Sequence, residues 1–320
     1  MVEWNVPSNI AKGVSYLYLE DADYSRFKDK VFCKKNEKGH WVIERILSEG
    51  VPNLDAAAWT ASETVRTYNT VPTIAYVSGM AVGIGAYLCK LNERVIQKRD
   101  SPLLLTGFKS LNQVLGQTLY KDNLQIGGPE IMGNNGISHM LVNTDAEGIA
   151  GIVRWLSYCV NPPSLPPVLV AAPVPYTPSA SLEVDVLAQI GAIVDVESFM
   201  ELQQEWAKSS VVGRARIGGI AVGVIANRPV GTQKTVPVDP GDLDSAIKTM
   251  SQSGSLFYPD STLKTSQALK DIDREGLPVV FFANLRGFSG GTTDMFQEIL
   301  KFGAGIVHAL ESMEQKVNFI

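Results

Sequence analysis

The feature that most constrains this fold occurs twice: a proline-opened apolar run that ends in a glycine-rich bend and continues into a helix-compatible stretch. Pro72 opens Thr73-Ile74-Ala75-Tyr76-Val77, which leads to Gly79, Gly83 and Gly85. Pro278 opens Val279-Val280-Phe281-Phe282-Ala283, which leads to Gly287-Phe288-Ser289-Gly290-Gly291. Short apolar runs punctuated by proline and glycine read as strands. A strand, a bend and a helix in each half predict an α/β class with largely parallel pairing.

The rest of the chain fits that frame. Strand-like segments are read at Tyr16-Leu17-Tyr18-Leu19, Trp41-Val42-Ile43, Val95-Ile96, Leu103-Leu104-Leu105, Val222 to Ala226 and Val317 to Ile320. Ile149, Ile152, Val153 and Leu156 recur at helical spacing behind a candidate cap at Asp145. Met295, Ile299 and Phe302 predict one helix, and Ile306, Val307 and Leu310 a second. The basic stretch from Lys28 to Lys38 reads as a solvated loop. Seven of the 17 prolines lie between residues 161 and 178. Proline fixes φ and removes a donor, so this stretch is no helix interior or central strand. The domain boundary is therefore placed there, giving domains 1–175 and 176–320, in line with a length of 320 residues.

Composition excludes several classes. A net charge of −5 with scattered lysines and arginines gives no electrostatic case for nucleic acid or an anionic membrane. No apolar run reaches the roughly 20 residues that span a bilayer. Cys33, Cys89 and Cys159, like His40, His139 and His308, are isolated in sequence, which disfavours disulfides and a metal centre. The start at Met1-Val2-Glu3-Trp4 reads neither as a leader nor as a natural domain start.

Three constellations could carry chemistry. Gly83-Ile84-Gly85-Ala86, at a helix start, can present backbone N–H groups to a developing oxyanion, although a plain βα turn has the same pattern. Its glycine spacing does not match a dinucleotide fingerprint. Asn284 to Gly291 forms a second donor bend, and Ser289 there has no neighbouring base in sequence other than His308, which reads as structural. Arg214 and Arg216 suggest recognition of a carboxylate or phosphate, or an ordinary surface pair.

In their order along the chain, eight segments resemble the carboxyltransferase domain of eukaryotic, multifunctional acetyl-CoA carboxylases. They are Tyr16 to Leu19, Val82 to Leu88, Gln125 to Gly136, Trp155 to Tyr158, Val211 to Gly219, Val236 to Ser245, Tyr258 to Ser261 and Arg286 to Gly291. The resemblance implies two crotonase-like βαβ-spiral domains, each incomplete. It implies transfer of a carboxyl group from carboxybiotin on a carrier domain to acetyl-CoA, giving malonyl-CoA for fatty acid synthesis. Biotin carboxylase and biotin carboxyl carrier domains would be partners, and two copies would pair head to tail, in the cytoplasm or a plastid. Gly83, Gly85 and Ala86, with Gly290 and Gly291, match oxyanion-donor bends. Arg214 matches an arginine that reads the acyl carboxylate, while Leu91, Trp206 and Phe288 match pocket positions.

The sequence departs from the family at several points. Gln117 stands where the family has an arginine, and Gly79-Met80 where it has Cys-Arg. Leu256 and Leu285 replace tryptophans, and Ala56 to Ala61 replaces a glycine-rich segment. Relative to the family, both ends lack the segments bearing the partner donors. These departures keep open a second reading, a non-catalytic module that binds acyl-CoA or assembles with an active homologue.

Overall fold

The computed structural model describes Tyr16 and residues 18–46, 54–68, 70–159 and 185–320. The expected boundary at 175/176, the whole proline-rich stretch and the first residues of the chain lie outside these. The chain divides into two compact units, residues 1–60 and 61–320.

In the first unit, β1 (Tyr18–Leu19), α1 (Asp21–Phe27), β2 (Val31–Lys35) and β3 (Trp41–Ile46) form an antiparallel sheet of order β1-β3-β2 with one flanking helix. The expected loop at Lys28 to Lys38 is thus partly strand, since β2 pairs with β3 while its lysines stay in solvent. The helix α2 (Leu54–Tyr68) runs through the unit boundary and includes the alanine-rich segment. Alanine favours helix strongly over glycine, so that departure from the family pattern has a local structural expression.

The second unit opens with β4 (Ile74–Val77), β5 (Ala81–Val82), α3 (Ile84–Lys90), β6 (Arg94–Lys98) and β7 (Leu103–Leu104). Next come α4 (Phe108–Leu115), α5 (Leu124–Gly127), α6 (Pro129–Met132), β8 (Met140–Val142) and α7 (Asp145–Cys159). After residue 184 follow α8 (Val186–Ile193), β9 (Met200–Leu202), β10 (Ser210–Ile217), β11 (Ile220–Asn227), β12 (Thr232–Val236) and β13 (Lys248–Gln252). The remainder is β14 (Leu256–Phe257), α9 (Pro259–Arg274), β15 (Val279–Phe282), β16 (Gly287–Phe288), α10 (Thr292–Phe296), α11 (Ile299–Ser312) and β17 (Val317–Phe319).

One step repeats through this unit: a strand in a larger sheet, a two-residue strand in a small parallel pair, then helix. The sequence β4-β5-α3, then β6-β7-α4, then β8-α7 builds the parallel sheet β4-β6-β8 and the pair β5-β7. Later, β11, β14-α9, β15-β16-α10-α11 and β17 repeat it, with parallel β11-β15-β17 and the pair β14-β16. The hairpin β12-β13 is inserted after β11. The protein is therefore mixed α/β, and its later half departs from the mainly parallel expectation, because β9 and β10 join that sheet antiparallel. Gly218 and Gly219, at φ +58° and +81°, make the two-residue turn that reverses β10 into β11, as a tight hairpin requires.

The five-stranded sheet β17-β15-β11-β10-β9 has both faces covered. Alternation sends Val212, Ala221, Ile225, Val279 and Phe281 into a core with Trp155 of α7, Leu269 and Ile272 of α9 and Ile306 of α11. The residues between them (Val211, Ala215, Val222, Val224, Val280) pack on Val186 and Ile190 of α8. This period of two decides the fate of both arginines of β10, since Arg214 and Arg216 share the face of Val212. The two helices expected near the chain end are also divided differently. The break falls at Glu298, whose φ is +67°, so Ile299 and Phe302 belong with Ile306 in α11.

Candidate active site

The first glycine bend joins the end of β5 to α3. Gly83 is the N-cap, at φ +60° and ψ −124°, a conformation open to glycine and closed to residues with a Cβ. Its own N–H donates to Leu104 O at 3.0 Å, and the Ala86 N–H returns to Gly83 O at 3.1 Å. Of the expected donors Gly83, Gly85 and Ala86, two are therefore spent inside the fold. Among the described residues the amides of Ile84 and Gly85 have no internal acceptor, as the first turn of a helix dictates. They lie among the exposed apolar side chains of Val82, Ile84 and Tyr87, with Ala86 buried beneath. Leu91 caps the other end of α3, roughly 10 Å away for a seven-residue helix, and is half-buried.

The second bend follows β16. The Ser289 N–H donates to Phe257 O at 2.8 Å, extending the parallel pairing of β14 with β16. Its hydroxyl donates to the Asp294 carboxylate. Gly290 and Gly291, the latter the N-cap of α10, keep amides without an internal acceptor among the described residues, and both are exposed. Phe288 is 49% exposed and its ring stands 5.3 Å from that of Phe257. His308 lies on the solvent side of α11 rather than in its packed stripe, and no hydrogen bond joins it to Ser289. A serine nucleophile with a histidine base is thus not assembled here.

Arg214 requires a correction. Its guanidinium is 1% exposed and faces Glu275 at the end of α9, with Nε donating to Glu275 Oε2 and Nη2 to Oε1 at 2.9 Å. Nη1 donates to Gly213 O at 2.9 Å. The group is committed inside the protein and presents no fork to a substrate carboxylate. The physical reason is the alternation along β10, which points Arg214 at the helix carrying Glu275.

Arg214 belongs to a buried network that sequence spacing does not announce. Arg94 of β6 donates to Glu275 and to Asp271, each at 2.6 Å, with Glu93 at 3.4 Å. Arg274 reaches Asp271 at 3.3 Å and Glu93 at 3.8 Å. Burial alone would raise the Glu275 carboxyl, but the Arg214 and Arg94 guanidiniums outweigh it and hold it at about 2. At Glu93 burial dominates, because its guanidinium contacts are longer, and its carboxyl is pushed up to about 8.

Trp206 is likewise interior, 7% exposed, in the loop between β9 and β10. Its ring lies against Gly136, where an added Cβ would stand 2.3 Å from Cε3. The loop is held from below by buried Lys264, whose Nζ donates to the carbonyls of Gln203, Trp206 and Ser210 at 2.8–2.9 Å. Sequence reading singled out Trp206 and missed Lys264. The signal available was a lysine in an amphipathic helix at a position flanked by buried residues. Among the described residues no group of three or more His, Cys, Asp or Glu side chains could hold a metal ion, and no helix is long and apolar enough to cross a membrane.

Two exposed bends, each with a pair of unspent amides, are suited to stabilising negative charge on an oxygen. Comparison with known proteins gives the family. Residues 25–318 match the carboxyl transferase domain family. The chain is 39% identical to acetyl-CoA carboxylase 2 of Oryza sativa subsp. japonica over 98% of its length, and 41% identical to acetyl-CoA carboxylase 1 of the same plant. It is 41% identical to acetyl-CoA carboxylase of Dictyostelium discoideum over 99% of its length. The chain spans only 14–15% of the length of these relatives. With a match across nearly every described element and identity near 40% throughout, this chain belongs to the carboxyl transferase domain family.

Proposed function

We propose that this chain is the carboxyltransferase component of an acetyl-CoA carboxylase, moving a carboxyl group from carboxybiotin to acetyl-CoA to form malonyl-CoA for fatty acid synthesis. The observation that carries this reading is the α3 bend, where the Ile84 and Gly85 amides remain unspent on an apolar surface. A thioester oxygen placed there receives two N–H donors as charge develops on it during loss of an α-proton. Gly290 and Gly291 offer a matching donor pair, and the half-exposed Phe288 ring an apolar wall, for the ureido group of biotin. When bound on its carrier domain, biotin supplies the carboxyl group that is transferred. This chain's residues orient the two oxygens and withhold competing charge.

The repeated strand, short strand and helix step supports two crotonase-like spiral domains divided near 175/176. Biotin carboxylase and carrier domains are expected as partners, consistent with relatives some seven times longer. Exposure of both bends on the single chain supports a head-to-tail pair of copies, in the cytoplasm or a plastid, with the bends facing across the junction. Leu91 remains a candidate pocket wall. Trp206 and Arg214 act from the interior, supporting the walls rather than touching substrate. A second reading, a non-catalytic module, is favoured by one observation: Gln117, where the family has arginine, is exposed just beyond α4.

Ile84→Pro tests the first reading, because proline is tolerated at the first helical position and deletes one donor. In the full-length protein, transfer from malonyl-CoA to biocytin should fall on the order of 10²–10³-fold with folding retained. A rate within a factor of about two of the parent would refute the role of this bend. Binding of CoA without any turnover in the parent would favour the module.

A further inference from the structure

Arg214 is consumed by Glu275, but Arg216, two residues on and on the same face of β10, is not. Its Nη2 donates to Ser157 O at 2.9 Å and to Ser157 Oγ at 3.1 Å, and its guanidinium stacks 4.5 Å over the Tyr158 ring. One helical turn earlier on α7, Arg154 is fixed in a similar way, with Nη2 donating to Glu197 O and Phe199 O at 2.8 Å each. The Tyr158 hydroxyl donates to Ser198 O between them. Each guanidinium is therefore held by one nitrogen, while Nε and Nη1 carry no internal partner among the described residues.

Both arginines line one cavity of about 180 Å³ with Tyr158, Asp195, Glu197 and Ser198. Neither is ion-paired within 4.0 Å to any described carboxylate. The Asp195 carboxylate is occupied elsewhere, accepting from the Gly218 and Gly219 amides at 2.8 and 2.7 Å. Glu197 is exposed and sits at φ +58°. Two pinned guanidiniums, neither ion-paired to a described carboxylate, bring positive charge and single spare N–H donors at Nε and Nη1 to one cavity, which suits an oxyanion with several acceptor oxygens. Their side chains already hold one orientation, so little ordering entropy is lost on binding.

We propose that Arg154 and Arg216 form a binding site for a phosphate group, either free phosphate or a phosphate monoester. The site is distinct from both glycine bends and independent of the carboxyl-transfer reading. The full 320-residue chain is titrated with inorganic phosphate and, in a second arm, with glycerol 3-phosphate, at constant ionic strength held with chloride. Melting temperature and calorimetry are the readouts. Saturable binding is expected, and tighter binding of the second titrant marks a monoester site, tighter binding of the first a free-anion site. Arg154→Gln and Arg216→Gln should each weaken half-saturation roughly tenfold or more, the loss of a positive charge and a charge-assisted hydrogen bond. Because both arginines also brace loop 195–199, Glu197→Gln serves as the variant that leaves those braces intact. Removing its negative charge should tighten binding about threefold. Absence of saturation with both titrants, equal binding in the arginine variants, or unchanged half-saturation in Glu197→Gln would each overturn the proposal.

Discussion

Glu275→Gln is the most informative single substitution in the buried network. The parent carboxylate accepts from Arg214 Nε, Arg214 Nη2 and Arg94 Nη2, and its side chain is 1% exposed. Glutamine keeps the shape but removes the charge, leaving two guanidiniums in the interior with Asp271 as the remaining carboxylate and Glu93, raised to about 8, mainly protonated at pH 7. Breaking one side of a buried ion pair costs about 3–5 kcal/mol. That is a large share of the 5–15 kcal/mol typical of whole-domain stability. The acid dependence gives an independent check. The Glu275 carboxyl is depressed in the folded protein, from 4.5 to about 2. Its stabilisation is therefore complete above about pH 4.5 and is lost as the pH falls toward 2, about 3 kcal/mol in all. Equilibrium urea unfolding at pH 7 and pH 3 measures both effects. A loss below about 1 kcal/mol at pH 7, or a parent and variant that lose stability equally between pH 5 and 3, would refute the reasoning.

Glu93 should behave in the opposite sense. Its carboxyl is raised to about 8, so its contribution is full below about pH 4.5 and lost as the pH rises through 8. Glu93→Gln should melt close to the parent at pH 5 and above it at pH 9, and thermal scans at the two values would show the crossover or its absence. Gly136→Ala places a methyl against the Trp206 ring at a φ of +79°. Overpacking and left-handed strain together should cost roughly 2–4 kcal/mol, read by denaturant unfolding with tryptophan fluorescence. A loss under about 0.5 kcal/mol would show that the ring moves aside freely.

What the sequence made legible was local. Proline before an apolar run marked β4 and β15, and Asp145 ahead of a 3.6-residue period marked α7. Val222 to Ala226 marked β11, but β10 and its antiparallel pairing with β11 escaped, because both faces of β10 are buried over most of its length, which erases the polar alternation that usually reveals a strand. Gly218-Gly219 was a usable turn signal that the arginines of the same segment drew attention away from. The break at Glu298 carries neither glycine nor proline, so nothing in the residues announced it. At the candidate site, the glycine bends could be read because they need only chain neighbours. The partners of Arg94 sit 177 and 181 residues away, and no spacing rule reaches that far. Arg214 was recognisable as a charge of consequence, but whom it addresses depends on a helix end some sixty residues downstream.

The network described above also governs how the large unit behaves as a piece of matter. Arg94 comes from the earlier parallel sheet, Arg214 from the later one, and the acids they share from a single helix terminus. A chain severed between Cys159 and Asp185 would leave Arg214 with Glu275 but separate Arg94 from Asp271 and Glu275, its two nearest acids. Rejoining the two pieces would restore those acids to Arg94, so association of the fragments is expected to be coupled to the burial of that one guanidinium.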